Sequence, residues 1–392
     1  MQKPAHHGGK NCNSELTSPP LAFDHQATTP CAEEVVAAMA PYWSEHWGNP
    51  SSRQHRLGLT ASAAVALARQ QLAECLGVTP ERIVFTSGAT EANNIALLGR
   101  ARACGQGHLI SVASEHHAVL DPLRQLQREG FTVTLLSPDS DGLISPSQLE
   151  AAITPDTILV SVMAANNEIG VLQPLAELAA ICRASQVPIH SDAAQAFGHI
   201  PLEPDALGLD LVSLSAHKLY GPKGIGALIT RDKLALTPLQ WGGGQEQGLR
   251  PGTLPAPLIV GFATAARLAL ADRDQRADHL SRLRDQLWAG LQQNLPGLLL
   301  NGALKPRLPH NLNITVPGLN GSRLHRALRP HLACSSGSAC SRGEPSHVLQ
   351  AIGRSRQEAE ASLRLSLGRT TSEDDVDRAI GVITSTVHAQ GA

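Results

Sequence analysis

The chain has 392 residues, 42% of them hydrophobic and 17% charged, with a formal net charge of −2; it is long enough for two domains and a large core, and too apolar to be disordered. The near-neutral balance leaves no electrostatic footprint for nucleic acid or a membrane surface, and no apolar run reaches the roughly 18–20 residues of a membrane span. The first twenty residues hold neither an apolar signal core nor an arginine, and the seven cysteines are odd in number without a CxxC pair, so a reduced, cytoplasmic setting is expected.

Residues 1–20 are polar, rich in Gly and Pro and without periodicity, which predicts a disordered tail. Order is expected to begin at Phe23-Asp24-His25-Gln26-Ala27-Thr28-Thr29-Pro30, followed by a helix over 32–39 with Glu33 and Glu34 in its first turn. Gly48-Asn49-Pro50-Ser51-Ser52 is a turn cluster, and 60–76 reads as a long Ala/Leu-rich helix closed by Gly77. A short buried-type strand over 83–86 runs into Ser87-Gly88-Ala89-Thr90-Glu91-Ala92-Asn93-Asn94 and then a helix over 95–103. Strand, small polar turn and helix aim free backbone N–H groups at a phosphate, and the same pattern also fits an ordinary N-capped helix. It is neither a Walker loop nor a dinucleotide fingerprint.

Strands over 109–112, 132–136, 158–162, 188–192, 211–214 and 227–230 then alternate with helices over 119–129, 148–153 and 175–185. Such alternation predicts an α/β fold with a mainly parallel sheet wrapped by helices. Polar groups recur just after the strands: Glu115-His116-His117, then Asn167, then Asp192 with Gln195, then Lys218. Each alone could be a structural cap, but in succession they point to one crevice at the carboxyl side of the sheet. Lys218 sits in Ser213-Leu214-Ser215-Ala216-His217-Lys218-Leu219-Tyr220-Gly221-Pro222-Lys223-Gly224, between a strand end and a glycine turn. A lysine so held suits a Schiff base to an aldehyde cofactor; in isolation it also reads as a solvated surface lysine.

A glycine-rich loop spans 241–253 and ends at Thr253, and its length without regular structure marks it as functional. Helices are expected over 259–270 and 280–291. A boundary near residue 270 divides a large domain, 21–270, from a smaller α+β domain, 271–392, with a strand over 311–316 and helices over 322–328 and 374–387. The smaller domain carries Cys334-Ser335-Ser336-Gly337-Ser338-Ala339-Cys340-Ser341-Arg342-Gly343-Glu344-Pro345, whose small residues predict a mobile, accessible loop with Arg342 favouring thiolate at Cys340. A strand over 363–367 presents Arg364, suited to a substrate carboxylate or to an ion pair.

Taken together, these stretches resemble the cysteine desulfurases, the NifS/IscS-like branch of the class-V aminotransferases with the pyridoxal phosphate fold type I. The resemblance runs over about residues 21–388, through Asp24-x-x-Ala27-Thr28-Thr29-Pro30, Gly48-Asn49-Pro50-Ser51-Ser52, Thr86-Ser87-Gly88-Ala89-Thr90-Glu91, Asn166-Asn167-Glu168-Ile169-Gly170, His217-Lys218-x-Tyr220-Gly221-Pro222-Lys223-Gly224 and Ser335-Ser336-Gly337-Ser338-Ala339-Cys340. It implies a pyridoxal 5'-phosphate enzyme that takes sulfur from L-cysteine and leaves alanine. By resemblance, Lys218 is the Schiff-base lysine, Asp192 pairs with the pyridine nitrogen and Gln195 with the ring oxygen. His116 stacks on the ring and acts in proton transfer. Ala89, Thr90, Ser215 and His217 hold the phosphate, with Thr253 reaching in from the other subunit of a homodimer. Asn167 lies near the ring oxygen or the substrate, and Asn49 and Arg364 hold the substrate carboxylate.

Cys340 is implied as the thiolate that takes the sulfur as a persulfide and passes it to an acceptor protein, for iron–sulfur cluster assembly or for thiolation of a cofactor or tRNA. The one metal contact implied is a transient one between Cys340 and a cluster through that persulfide. Compared with the long-loop branch of the family, the spacer Ser341-Arg342-Gly343 is shorter, and so is the segment after the last helix. A sulfide-releasing lyase would share all of this except the need for a protein thiol.

Overall fold

The structure, a computed structural model, describes residues 19–337 and 345–391. Cys340 and the rest of 338–344 lie outside the described residues, as does most of the expected N-terminal tail.

The central sheet has seven strands in the order Ile83–Thr86, Gly226–Thr230, Leu211–Ser215, Ile189–Asp192, Thr157–Ser161, His108–Val112 and Thr132–Leu136. The inner strands are short apolar runs buried on both faces, which suits a sheet covered by helices on each side. Pairing is parallel except at Gly226–Thr230, which runs antiparallel to both its neighbours. A mainly parallel sheet puts its strand ends, and the polar residues after them, on one side.

Two helices start earlier than their expected positions. The long Ala/Leu helix is Arg56–Leu76, because His55 caps it by accepting a hydrogen bond from Gly58 N–H; Gly77 ends it in the left-handed region at φ 66°. The helix after the first sheet strand is Ala89–Cys104 and not 95–103, since it starts directly at Gly88. Turn and helix are therefore one unit, and the helix N-terminus lies against the strand end. Ala265, Ala266 and Ala269 of the helix Ala256–Ala271 join Phe85, Leu214 and Phe262 in the core beneath the sheet.

The open edge of Ile83–Thr86 is covered by an ion pair. Glu246 Oε2 accepts from Phe85 N–H at 2.7 Å, and Arg69 donates to Ile83 O at 2.5 Å while lying 4.6 Å over the Phe85 ring. Arg69 also binds the Glu246 carboxylate at 2.5 and 3.0 Å. An edge strand's unpaired backbone groups invite pairing with other chains, and here side chains occupy them. Glu246 and Gln247 take up left-handed backbone, φ 48° and 58°, to make this contact.

A second apolar cluster is built by Leu280, Leu283, Leu287 and Leu291 of the helix Arg273–Asn294, by Val376, Ala379 and Ile383 of the helix Glu373–His388, and by a three-stranded antiparallel sheet. That sheet holds Leu299–Leu300, Asn311–Thr315 and Ser362–Ser366. The start of the chain joins this cluster: Leu21–Ala22 pairs in parallel with Leu332–Ala333, and Phe23 is buried there. The chain then crosses to the larger sheet, where Thr29 N–H donates to His217 O at 3.0 Å. The short strand Leu21–Ala22 has no counterpart among the strands expected from the sequence, and the irregular crossing segment after it forms one wall of the cavity described next.

Candidate active site

A cavity of about 480 Å³ opens at the carboxyl ends of the parallel strands. Ile189–Asp192 delivers Asp192, Leu211–Ser215 delivers Ser215 and the turn with His217 and Lys218, and the loop after Thr157–Ser161 delivers Asn167. Lys218 Nζ donates to the carbonyls of Gln26 and Ala27, at 2.5 and 2.9 Å. These two acceptors belong to the crossing segment, and they hold the amine at the cavity wall.

Asp192 is fixed by two contacts: Asn93 Nδ2 donates to Oδ2 at 2.6 Å, and Ala194 N–H donates to Oδ1 at 3.0 Å. Glu115 lies close behind it, fully buried, with Oε1 accepting from Met163 N–H at 2.5 Å. Burial first, and the Asp192 charge second, hold the Glu115 carboxyl well above the usual carboxylate range. Glu115 and Asp192 thus stand as a close carboxyl pair on this wall, with Glu115 the more deeply buried of the two.

His116 lines the cavity with its Nδ1 accepting from Ala118 N–H at 3.0 Å, which leaves the proton on Nε2. Burial lowers its pKa, with the Lys218, His117 and His347 charges adding to the effect and Asp192 opposing it. His217 is brought down to about 4 by burial and by Lys218 and Lys223; its Nδ1 meets Thr28 Oγ1 at 3.1 Å. Both imidazoles are neutral at pH 7. Gln195 Nε2 donates to Gln26 O at 3.1 Å.

At the far end, Ala89 and Thr90 form the first turn of the helix Ala89–Cys104. The leading N–H groups of a helix have no acceptor within it and carry the positive end of its dipole. Ser87 N–H is taken by Glu91, and no acceptor among the described residues takes those of Ala89 and Thr90. A Cβ on Gly226 would fall 2.7 Å from Gly88 Cα, so a glycine is what lets the neighbouring strand pass under this turn.

Arg364 closes the opposite end. It is 2% exposed, with Nη2 on Asp24 Oδ1 at 2.6 Å and Nη1 on Asn167 O at 2.9 Å. Its Nε and the Oδ1 of Asn167 are both buried, line this cavity's residues and have no partner among the described residues. Two orphaned polar atoms beside a lysine, a carboxylate and a helix N-terminus form a polar constellation that fits an aldehyde-bearing, phosphorylated pyridine and an amino-acid carboxylate.

The structure therefore gathers Ala89, Thr90, His116, Asn167, Asp192, Gln195, Ser215, His217, Lys218 and Arg364 around one cavity. It does not bring in Asn49, which is exposed with its Oδ1 accepting from Ser51 N–H at 2.9 Å; the turn cluster occupies that side chain locally. Thr253 is also exposed and away from the lining. Cys340 lies outside the described residues; the flanking Ser335 pairs with Arg364, and Ser346 Oγ hydrogen-bonds the buried carboxylate of Glu168. Among the described residues no group of three or more His, Cys, Asp or Glu could hold a metal.

Sequence reasoning did not single out Gln26, Ala27, Asn93 or Asp24 as site residues. Asn93 and Asp24 stood inside quoted motifs, whereas the Gln26 and Ala27 carbonyls are backbone atoms with no side-chain signature.

The pattern of the aminotransferase class-V family matches residues 21–379. A Rickettsia akari protein named cysteine desulfurase IscS is 46% identical over 374 residues, 94% of this chain and 91% of that protein. Among solved structures, a NifS-like protein superposes with a TM-score of 0.89 at 35% identity, over 94% of this chain and 100% of that one. A structure described as SspA in complex with cysteine gives 0.78 at 38% identity, over 89% and 99%.

Proposed function

Since the chain belongs to the class-V aminotransferase family, and within it to the cysteine desulfurases, we propose how its own residues carry out the reaction. It is a pyridoxal-phosphate-dependent cysteine desulfurase of the fold type I class, converting L-cysteine to alanine with transfer of the sulfur. The observation that carries the assignment of roles is the meeting of Lys218 and Asp192 in one cavity, with a helix N-terminus at one end and Arg364 at the other.

Bound at this site, pyridoxal phosphate supplies an electron sink next to the substrate α-carbon. Lys218, with its amine held at the cavity wall, would hold the aldehyde carbon and would serve as the base that moves the substrate α-proton. Asp192, held by Asn93 and Ala194, keeps a proton on the pyridine nitrogen. Gln195 donates to the ring oxygen, and His116 covers the ring and shuttles protons in its neutral form. Asn167 would offer its Nδ2 donor to the ring oxygen, or its buried Oδ1 acceptor to a donor of the substrate. Ala89, Thr90, Ser215 and His217 receive the phosphate, and Thr253 of a second copy completes that seat. Arg364 turns its unpartnered Nε to the substrate carboxylate. Cys340, as thiolate, attacks the substrate sulfur: an S–S bond forms, the C–S bond breaks with its electron pair left on the carbon skeleton, and reprotonation releases alanine.

The persulfide on Cys340 then goes to an acceptor protein, for iron–sulfur cluster assembly or another thiolation route. Association into a homodimer is supported by the exposed Trp43, Trp47, Leu59 and Trp241. Among the described residues no helix is long and apolar enough to cross a membrane, and a cytoplasmic location is part of this proposal.

Brief exposure to L-cysteine followed by peptide mass spectrometry tests the reading. One added sulfur on Cys340 is expected, with none in Cys340→Ala or Lys218→Ala. Undiminished sulfur delivery to an acceptor by Cys340→Ala would replace the thiol relay with a sulfide-releasing lyase.

A further inference from the structure

The phosphate end of the cavity contains a charge of the wrong sign. Glu91, in the first turn of the helix Ala89–Cys104, bends back so that Oε2 accepts from Ser87 N–H at 2.5 Å. It lines the cavity together with Ala89 and Thr90. Burial pushes its carboxyl up, but the Ser87 N–H and Arg250 outweigh burial and keep it ionised. A carboxylate there is favourable to the bare helix dipole and unfavourable to a phosphate dianion seated on the same turn.

Arg250 answers that charge. Its Nε donates to Glu91 Oε1 at 3.0 Å, and the two side chains are 23% and 20% exposed, so solvent screens the pair only in part. Arg250 comes from the glycine-rich loop, which is pinned to the sheet edge through Glu246 and Arg69. Other cations on the described cavity lining are Lys218, Lys223 and Arg364. Lys218 is committed to the aldehyde and Arg364 is bound to Asp24, while His217 is neutral at pH 7. Lys223 is exposed and its charge acts on His217, whereas Arg250, although outside the lining, is the cation in direct contact with Glu91.

We propose that Arg250 is a positioning residue for the cofactor: it neutralises Glu91, so that Glu91 can shape the Ser87 turn without repelling the phosphate. The proposal rests on reading this cavity as the pyridoxal phosphate seat. It predicts a charge effect rather than a shape effect, and a second substitution separates the two. Glutamine at Glu91 still accepts the Ser87 N–H but carries no charge.

The test uses purified holoenzyme carrying Arg250→Gln, Arg250→Lys, Glu91→Gln or the Arg250→Gln/Glu91→Gln pair. Cofactor retention on dialysis, the dissociation constant from rebinding titrations and the 31P resonance of the bound cofactor are measured. Arg250→Gln is expected to raise the dissociation constant about tenfold and to move the 31P signal, with Arg250→Lys within about threefold of wild type. The double variant is expected to recover to within about threefold of wild type, and Glu91→Gln to bind at least as tightly. Equal loss in the single and double variants, or full retention by Arg250→Gln, overturns the proposal. Should Arg250→Gln fail to fold, Glu91→Gln alone decides, and weaker binding by that variant overturns it. A wild-type protein without bound cofactor would instead overturn the reading of the cavity.

Discussion

Arg364, proposed to take the substrate carboxylate, is a side chain held in place in advance. A free guanidinium would swing among rotamers; this one is held by Asp24 Oδ1 and Asn167 O, and its Nε edge is left over. Asp24→Ala would remove the stronger of the two holds. The expected outcome is a Michaelis constant for L-cysteine raised about tenfold with kcat within about threefold, read from steady-state kinetics. Arg364 was legible in the sequence because it alternates with apolar residues on a strand, and Lys218 because a glycine turn follows it. Asp24 was visible only as part of a motif, and its pairing with Arg364 spans almost the whole chain. Asn49, the other residue expected at the substrate carboxylate, lies outside this cavity's lining, and the local turn holds its side chain.

Among the elements, the helix Ala89–Cys104 and the glycine-rich loop carry the most function, and both are set by what they rest on. The helix starts at Gly88 because the neighbouring strand passes beneath it at Gly226. Periodicity could not show this start, since residues 89–94 are small or polar and carry no apolar stripe. The loop is anchored by Glu246, which is buried against Arg69 and the Phe85 N–H. Removing one member of such a pair strands a buried charge and an unpaired backbone group. Glu246→Ala is expected to cost about 3 kcal/mol in urea denaturation of the holoenzyme. Glycine content pointed to a functional loop; the anchor was hidden, because it depends on a left-handed backbone at Glu246 that no residue type there announces.

For the whole molecule, strand content was legible and strand order was not. Short apolar runs identify the strands, yet nothing local distinguishes the antiparallel Gly226–Thr230 from its parallel neighbours. The middle of the sheet also fixes an acid limit. His190, fully buried, meets Ser161 Oγ at 2.8 Å and Ser213 Oγ at 2.9 Å across three strands, and burial brings its pKa down to about 4. Unfolded, the same imidazole takes its proton near pH 6.5, so between 6.5 and 4 the unfolded state binds more protons and stability falls as pH falls. The contribution is complete above 6.5, lost below 4, and on the order of 3 kcal/mol. Chemical denaturation across that window should show the slope, and His190→Gln should reduce it in part, because His199 and His217 are also brought down to about 4 by burial and keep the remainder.

The pairing of Leu21–Ala22 with Leu332–Ala333 has a consequence for biosynthesis. Leu21 and Ala22 have no strand to dock on until Leu332 and Ala333 have been made, far later in the chain. The larger sheet can therefore fasten the segment that carries the Gln26 and Ala27 carbonyls at its Thr29 end first, and its other end is tied only when Leu332–Ala333 arrives. The chamber is finished by a ring closure, and only then is the wall that grips the lysine tied at both its ends.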